Sequence, residues 1–142
     1  MERVSIVGMF CEDIREEKAG GATLLGIFPD NVNVPMIPGA FPKLCIYVRA
    51  IFDPTIDPGP VDLALVLADG ESQSLGALDS EIAAKGREDA LQKGSPLVGL
   101  IASITMANLP IMQAGRIKIV ATMAGEEIVC GVMNVQVEPQ PA

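Results

Sequence analysis

Residues 43–52 read KLCIYVRAIF, and their alternation sets how the rest of the chain is read. Leu44, Ile46, Val48, Ala50 and Phe52 fall on one side of an extended chain, with Lys43, Cys45, Tyr47, Arg49 and Ile51 on the other. That is the period of two expected of a strand with one buried face. Val61, Leu63, Leu65 and Leu67 share a face in the same way, and Ala68-Asp69-Gly70 ends their run with turn chemistry. Arg116–Met123 and Ile128–Val137 flank the stretch AGEE and read as a hairpin whose loop holds Gly125. Val4–Cys11 and Thr23–Phe28 form another pair. Short strands at this spacing predict an all-β chain, or a β-rich one with one short helix. The expected architecture is an antiparallel β-sandwich of Ig-like, Greek-key type with about 7–8 strands.

The 142 residues fit a single sandwich domain over 1–142, with PQPA (139–142) as a tail. Five aromatic residues, Phe10, Phe28, Phe41, Tyr47 and Phe52, leave the core to Val, Ile, Leu, Met and Ala. The seven methionines are read as core gap-fillers. Proline marks two irregular stretches, Phe28–Lys43 and Asp53–Pro60, expected as loops or edge-strand segments because proline cannot donate to a central ladder. Residues 80–93 are a helix candidate or a loop insertion. Ser80 is the expected cap, Gly94 the expected stop, and Gly86 an interruption in the middle.

Composition excludes more than it selects. A formal charge of −8 with scattered Lys and Arg argues against direct nucleic-acid binding. The absence of histidine removes Ser-His-Asp and Cys-His nucleophiles, imidazole metal sites and a histidine pH switch. Cys11, Cys45 and Cys130 have no paired spacing and are read as small buried residues in a reducing compartment. The N-terminus lacks a signal-peptide layout, so the expected location is cytoplasmic, or virion if the chain is phage-encoded. Gly94–Gly115 carries no charge, but Pro96 and Pro110 divide it, so a buried strand is expected rather than a membrane span.

The stretch FCEDIREEKAGGATLLGIF (Phe10–Phe28) has the densest charge, six of the seven residues from Glu12 to Lys18. Flanking apolar runs and Gly20-Gly21 make it a first hairpin, with both glycines expected at positive φ and with Asp13 and Arg15 pairing with each other or with nearby backbone. Cys11, beside Glu12 and Asp13, sits where a thiol pKa is raised. Asp53 and Asp57 are the candidates for a calcium site at loop ends, against the plainer reading of turn acids bonding their own backbone. No catalytic residue and no cofactor is expected.

The order Cys11-Glu12-Asp13-Ile14-Arg15, then Gly20, Gly21, Leu25, Gly26 and Ile27, resembles a family of small uncharacterised proteins of bacteria and their phages. LPIMQAGRIKIVATMAGEEI (109–128) looks like that family's closing strand-turn-strand. Arg116 and Ile117 stand where the family's closing strand often has an aromatic, which departs from tyrosine-corner anchoring. The resemblance implies a compact β-sandwich with Cys11, Asp13, Arg15, Gly20, Gly21 and Gly26 as its structural signature. Through the phage members it implies a role in a virion or its assembly.

Several expected strands are apolar on both faces: Ile104 and Met106 beside Ile101, Val120 beside Ile119, Val129 beside Ile128. A sandwich needs only one such face per sheet, so the helix and loops, other copies or a partner must cover the surplus. The expected function is a non-enzymatic structural or interaction module that self-associates or docks on a larger assembly, such as a phage capsid or tail accessory protein. Its partners are proteins, in a homo-oligomer or larger assembly, with no membrane and no nucleic acid. A ligand- or calcium-binding regulatory sandwich is the alternative.

Overall fold

The computed structural model describes residues 4–139, so most of the expected tail, residues 140–142, lies outside them. Nine strands and one helix follow in order: β1 (Val4–Glu16), β2 (Ala22–Ile27), β3 (Asn31–Val34), β4 (Gly39–Phe52), β5 (Val61–Val66), β6 (Ser72–Leu78), α1 (Ser80–Lys93), β7 (Val98–Ile111), β8 (Gly115–Met123) and β9 (Glu126–Val137). They form two sheets, ordered β2-β1-β4-β7 and β3-β9-β8-β5-β6. The expected sandwich architecture is present, with two corrections. Nine strands replace the expected seven or eight, because the proline-rich stretch hides β3 and polar SQSLGAL hides β6. The second sheet is mixed, since β3 runs parallel to β9.

The alternation in β4 places Leu44, Ile46, Val48, Ala50 and Phe52 in the core, each buried. Val61, Leu63 and Leu65 of β5 and Ile117, Ile119 and Ala121 of β8 meet them from the other sheet. Removing each large aliphatic or aromatic side chain from water stabilises the fold by roughly 1.5–3 kcal/mol. Pro42 lies within β4, an interior strand, contrary to the expectation of a loop or edge-strand segment through Lys43. The ladder with β7 skips from Phe41–Leu109 to Lys43–Ala107. Pro42 therefore falls at the gap, opposite Asn108, which has a φ of 52°.

The sheets touch most closely where β1 crosses β9. A Cβ added to Gly131 would lie 2.8 Å from the Gly8 carbonyl oxygen and 2.9 Å from Ile119 Cδ1. Two facing glycines bring the backbones together, and the tip of Ile119 fits between them. On the opposite flank, α1 packs against the inner side of β7 through its small residues. Ala83 and Ala90 are buried, and a Cβ at Gly86 would lie 3.1 Å from Val98 Cγ1. Gly86, read as an interruption, is thus a point of close helix–strand approach.

The helix has the expected bounds but not the expected cap. Asp79, not Ser80, is the N-cap, its Oδ1 accepting from the Ile82 N–H at 2.9 Å. An Asp one residue earlier reaches the same orphan donors. Gly94 ends the helix in the left-handed conformation, φ 66°, and the Ser95 N–H closes on the Ala90 carbonyl. The β8–β9 turn is tighter than AGEE suggests, with Ala124 and Gly125 both at positive φ. No helix among the described residues is long and apolar enough to cross a membrane. The uncharged Gly94–Gly115 segment supplies β7, a strand at the sheet edge rather than the buried one expected.

Candidate functional site

Register places four rows of side chains on the outer face of the first sheet. Antiparallel partners point the same way, so Val7, Arg49 and Ile101 form one row, and Met9, Tyr47 and Ser103 the next. Ile27, Cys11, Cys45 and Thr105 form the third; in the fourth, the pairs Leu25–Asp13 and Lys43–Ala107 are linked by the Asp13–Lys43 contact. The first three rows carry one charged group, Arg49. Val7 is 50% exposed, Ile101 47% and Ile27 54%, so an apolar belt crosses the sheet from one edge strand to the other. A depression of about 240 Å³ lies within it, lined by Ser5, Val7, Met9, Tyr47, Arg49 and Ile51.

The charged opening stretch builds the wall of this face. The β1–β2 loop comes close enough to β7 to enclose a groove of about 390 Å³ between Glu16, Glu17, Gly20 and Ala22 and the side chains of Ile101 and Ser103. The hairpin therefore bends across the sheet, which explains why Cys11 and Cys45 are fully buried on an otherwise exposed face. Cys45 Sγ lies 3.6 Å from the Glu12 carbonyl oxygen and 3.5 Å from Thr105 Oγ1. Burial, then the neighbouring Cys45, pushes the Cys11 thiol pKa up. The expected direction holds, but the adjacent Asp13 is a lesser cause. A thiol held protonated is a poor nucleophile.

Asp13 and Arg15 do not pair with each other. Asp13 Oδ1 accepts from Lys43 Nζ at 2.9 Å and from the Ile14 N–H at 3.0 Å. Both contacts stabilise the carboxylate and hold its pKa below the usual value, while Lys43 is raised in return. Arg15 Nε donates to Glu17 Oε1 at 3.0 Å, and Thr23 Oγ1 donates to the same oxygen at 2.7 Å. Glu17 is lowered first by Thr23 and then by Arg15. Both residues stand beyond the last β1–β4 pairing, Cys11 with Cys45; Asp13 still reaches Lys43 of β4, whereas Arg15 turns to Glu17 near the hairpin end.

Among the signature glycines, Gly20 has the expected positive φ, 93°, whereas Gly21 is not among the positive-φ residues. Gly26, at φ 62°, lies under the Glu12 side chain, where an added Cβ would meet Oε2 at 2.6 Å. Asp53 accepts from Thr55 N–H at 2.8 Å and from Thr55 Oγ1 at 2.6 Å. Asp57 accepts from the Gly59 N–H at 3.0 Å and lies 3.7 Å from Arg87 Nη1. Each carboxylate thus serves its own turn, and no group of three or more metal-ligating side chains occurs among the described residues.

The methionines differ from expectation: Met123 and Met133 are core, but Met9, Met36 and Met112 are exposed. Met9 belongs to the belt. The outer face of the second sheet has another chemistry. Asn134 Nδ2 donates to Asn31 Oδ1 at 3.1 Å, and Gln136 Nε2 to Asn33 Oδ1 at 2.8 Å. These amides stitch the parallel β3 to β9, and Arg116 and Lys118 stand beside them by register. The apolar surplus read from the sequence falls on both sheets, since Val129 and Val132 of β9 are about as exposed as Val7 and Ile101, but on the second sheet it is mixed with these amides and cations. The helix packs on the inner side of β7 and does not cover the belt.

A family of unknown function (DUF6941) matches residues 6–136 of this chain. No curated protein matches it.

Proposed function

The chain belongs to this family of unknown function, and we propose that it is a non-enzymatic interaction module whose working surface is the outer face of the first sheet. The observation that carries this reading is the uncovered belt of Val7, Met9, Ile27 and Ile101 on a chain of net charge −8. A contiguous exposed apolar patch on an otherwise solvated domain marks a contact surface. Arg49 amid the belt adds an anchor of the kind enriched in interface centres. The bound species is a protein, either another copy or a component of a larger assembly. A phage virion, with this chain as a capsid or tail accessory protein, is the assembly that the resemblance to phage proteins suggests.

Light scattering coupled to size-exclusion chromatography tests the reading, run on the chain alone across concentrations and with candidate assembly components. Association that Val7→Lys and Ile27→Lys abolish without lowering the melting temperature supports it. A strict monomer at millimolar concentration that binds no assembly component refutes it.

A further inference from the structure

Extending that reading, we propose that a second copy of this chain joins edge to edge through β7 into a continuous eight-stranded sheet, which doubles the outer face on which an assembly component docks. β7 is the edge of its sheet and pairs only with β4. Its other edge offers a run of backbone donors and acceptors to a further strand. The remaining edges are short: β2 has six residues and β3 four, and β6 pairs through an irregular register. β7 has fourteen and carries no charged residue, so it lacks the protection that edge strands ordinarily have.

Three features point to self-pairing. First, the chain is strongly acidic, and two copies repel wherever like charges meet; the uncharged Gly94–Gly115 segment is a place where they approach without that cost. Second, the strand is apolar and partly exposed on both faces, with Ile101 outside and Ala102, Ile104 and Met106 on the core side. A strand added here must be apolar on both faces, and β7 itself is such a strand. Third, the usable edge is bounded. Asn108 at φ 52° breaks the strand, and Pro110 lacks an N–H. A two-fold antiparallel pairing of Val98–Asn108 is then centred on Ser103, which meets its own copy. Ile101 faces Thr105 outside, and Ala102 faces Ile104 on the core side. The two outer belts become one surface.

Cross-linking tests the register. Ser103→Cys at the two-fold axis, with oxidised glutathione as the electron acceptor, should form a covalent dimer. Met36→Cys, exposed and outside the 98–108 pairing, should not at the same concentration. Amide exchange of the unaltered chain is the independent check: amides of 98–107 should be protected at concentrations where light scattering finds a dimer and lose protection on dilution. Cross-linking of Ser103→Cys no greater than that of Met36→Cys, or a dimer whose β7 amides exchange freely, overturns this pairing while leaving the outer-face reading standing. A strict monomer that still binds an assembly component through the belt also overturns it. A strict monomer with no partner removes both.

Discussion

Replacing Gly131 by alanine should destabilise the chain through one identifiable contact. The new Cβ would stand 2.8 Å from the Gly8 carbonyl oxygen, 2.9 Å from Ile119 Cδ1 and 3.2 Å from the Gly8 carbonyl carbon. Ordinary carbon contacts begin near 3.4 Å, so β1 and β9 would have to part by about 0.6 Å where they are closest. Overpacking of this kind costs about 1–3 kcal/mol, and the upper end applies because the obstacle is backbone. Alanine also restricts the unfolded chain, which returns about 0.4–1 kcal/mol. The net expectation is a loss of about 2 kcal/mol, or roughly 4–8 °C in melting temperature.

Gly8→Ala meets only the tip of Ile119 at 2.9 Å and Cys130 Sγ at 3.4 Å. A rotating side-chain end yields more easily than backbone, so this variant should lose about 1 kcal/mol. Ile119→Val, which removes Cδ1, costs about 0.5–1.5 kcal/mol alone but should cost less than that in the Gly8→Ala background. Urea unfolding with unchanged slopes provides the measurement. Gly131→Ala within about 0.5 kcal/mol of the parent, or less stable Gly8→Ala than Gly131→Ala, would show that the glycines do not bring the sheets together.

Ala124 holds φ 52° in the β8–β9 turn, so Ala124→Gly should stabilise by about 1 kcal/mol in a thermal melt, because the left-handed region penalises Cβ. Asp79→Ala should lose about 1 kcal/mol of urea stability with the cap of α1, whereas Ser80→Ala should lose much less. Asp13 and Glu17 have folded pKa values below their ordinary 3.8 and 4.5. Their contribution is therefore complete above about pH 4.5 and is lost as pH falls through the folded values; Asp13→Asn with Glu17→Gln should flatten that acid limb in urea midpoints against pH. Burial pushes the Cys130 thiol from 9.0 to about 11. Its contribution is complete below pH 9 and fades as pH rises from 9 to 11, and its thiolate absorbance should appear near pH 11 in the folded chain but near pH 9 once the chain is unfolded.

How much of this was legible beforehand depends on the range of the interaction. The period-two runs in β4, β5, β8 and β9 report burial of one face, and that local signal survived intact. β3 and β6 were missed because a four-residue NVNV and a polar SQSLGAL carry little apolar contrast. Asp13 stands out in the sequence, yet its partner Lys43 is thirty positions away, and only the packing of the first hairpin against β4 makes them neighbours. The apolar surplus was visible as composition, but not its address: Ile27, Val7 and Ile101 are far apart in sequence and become one belt through pairings.

By itself, then, the sequence determined the strands other than β3 and β6, where the helix runs, and that no histidine or nucleophile–base motif is encoded. Local periodicity, turn chemistry and residue inventory are enough for those. Tertiary structure alone decided that Gly8 and Gly131 face each other, that the charged hairpin bends over one sheet, and that β7 is an edge. The physical reason is that pleat parity says which side chains share a face, whereas strand order and register depend on the whole chain closing one core.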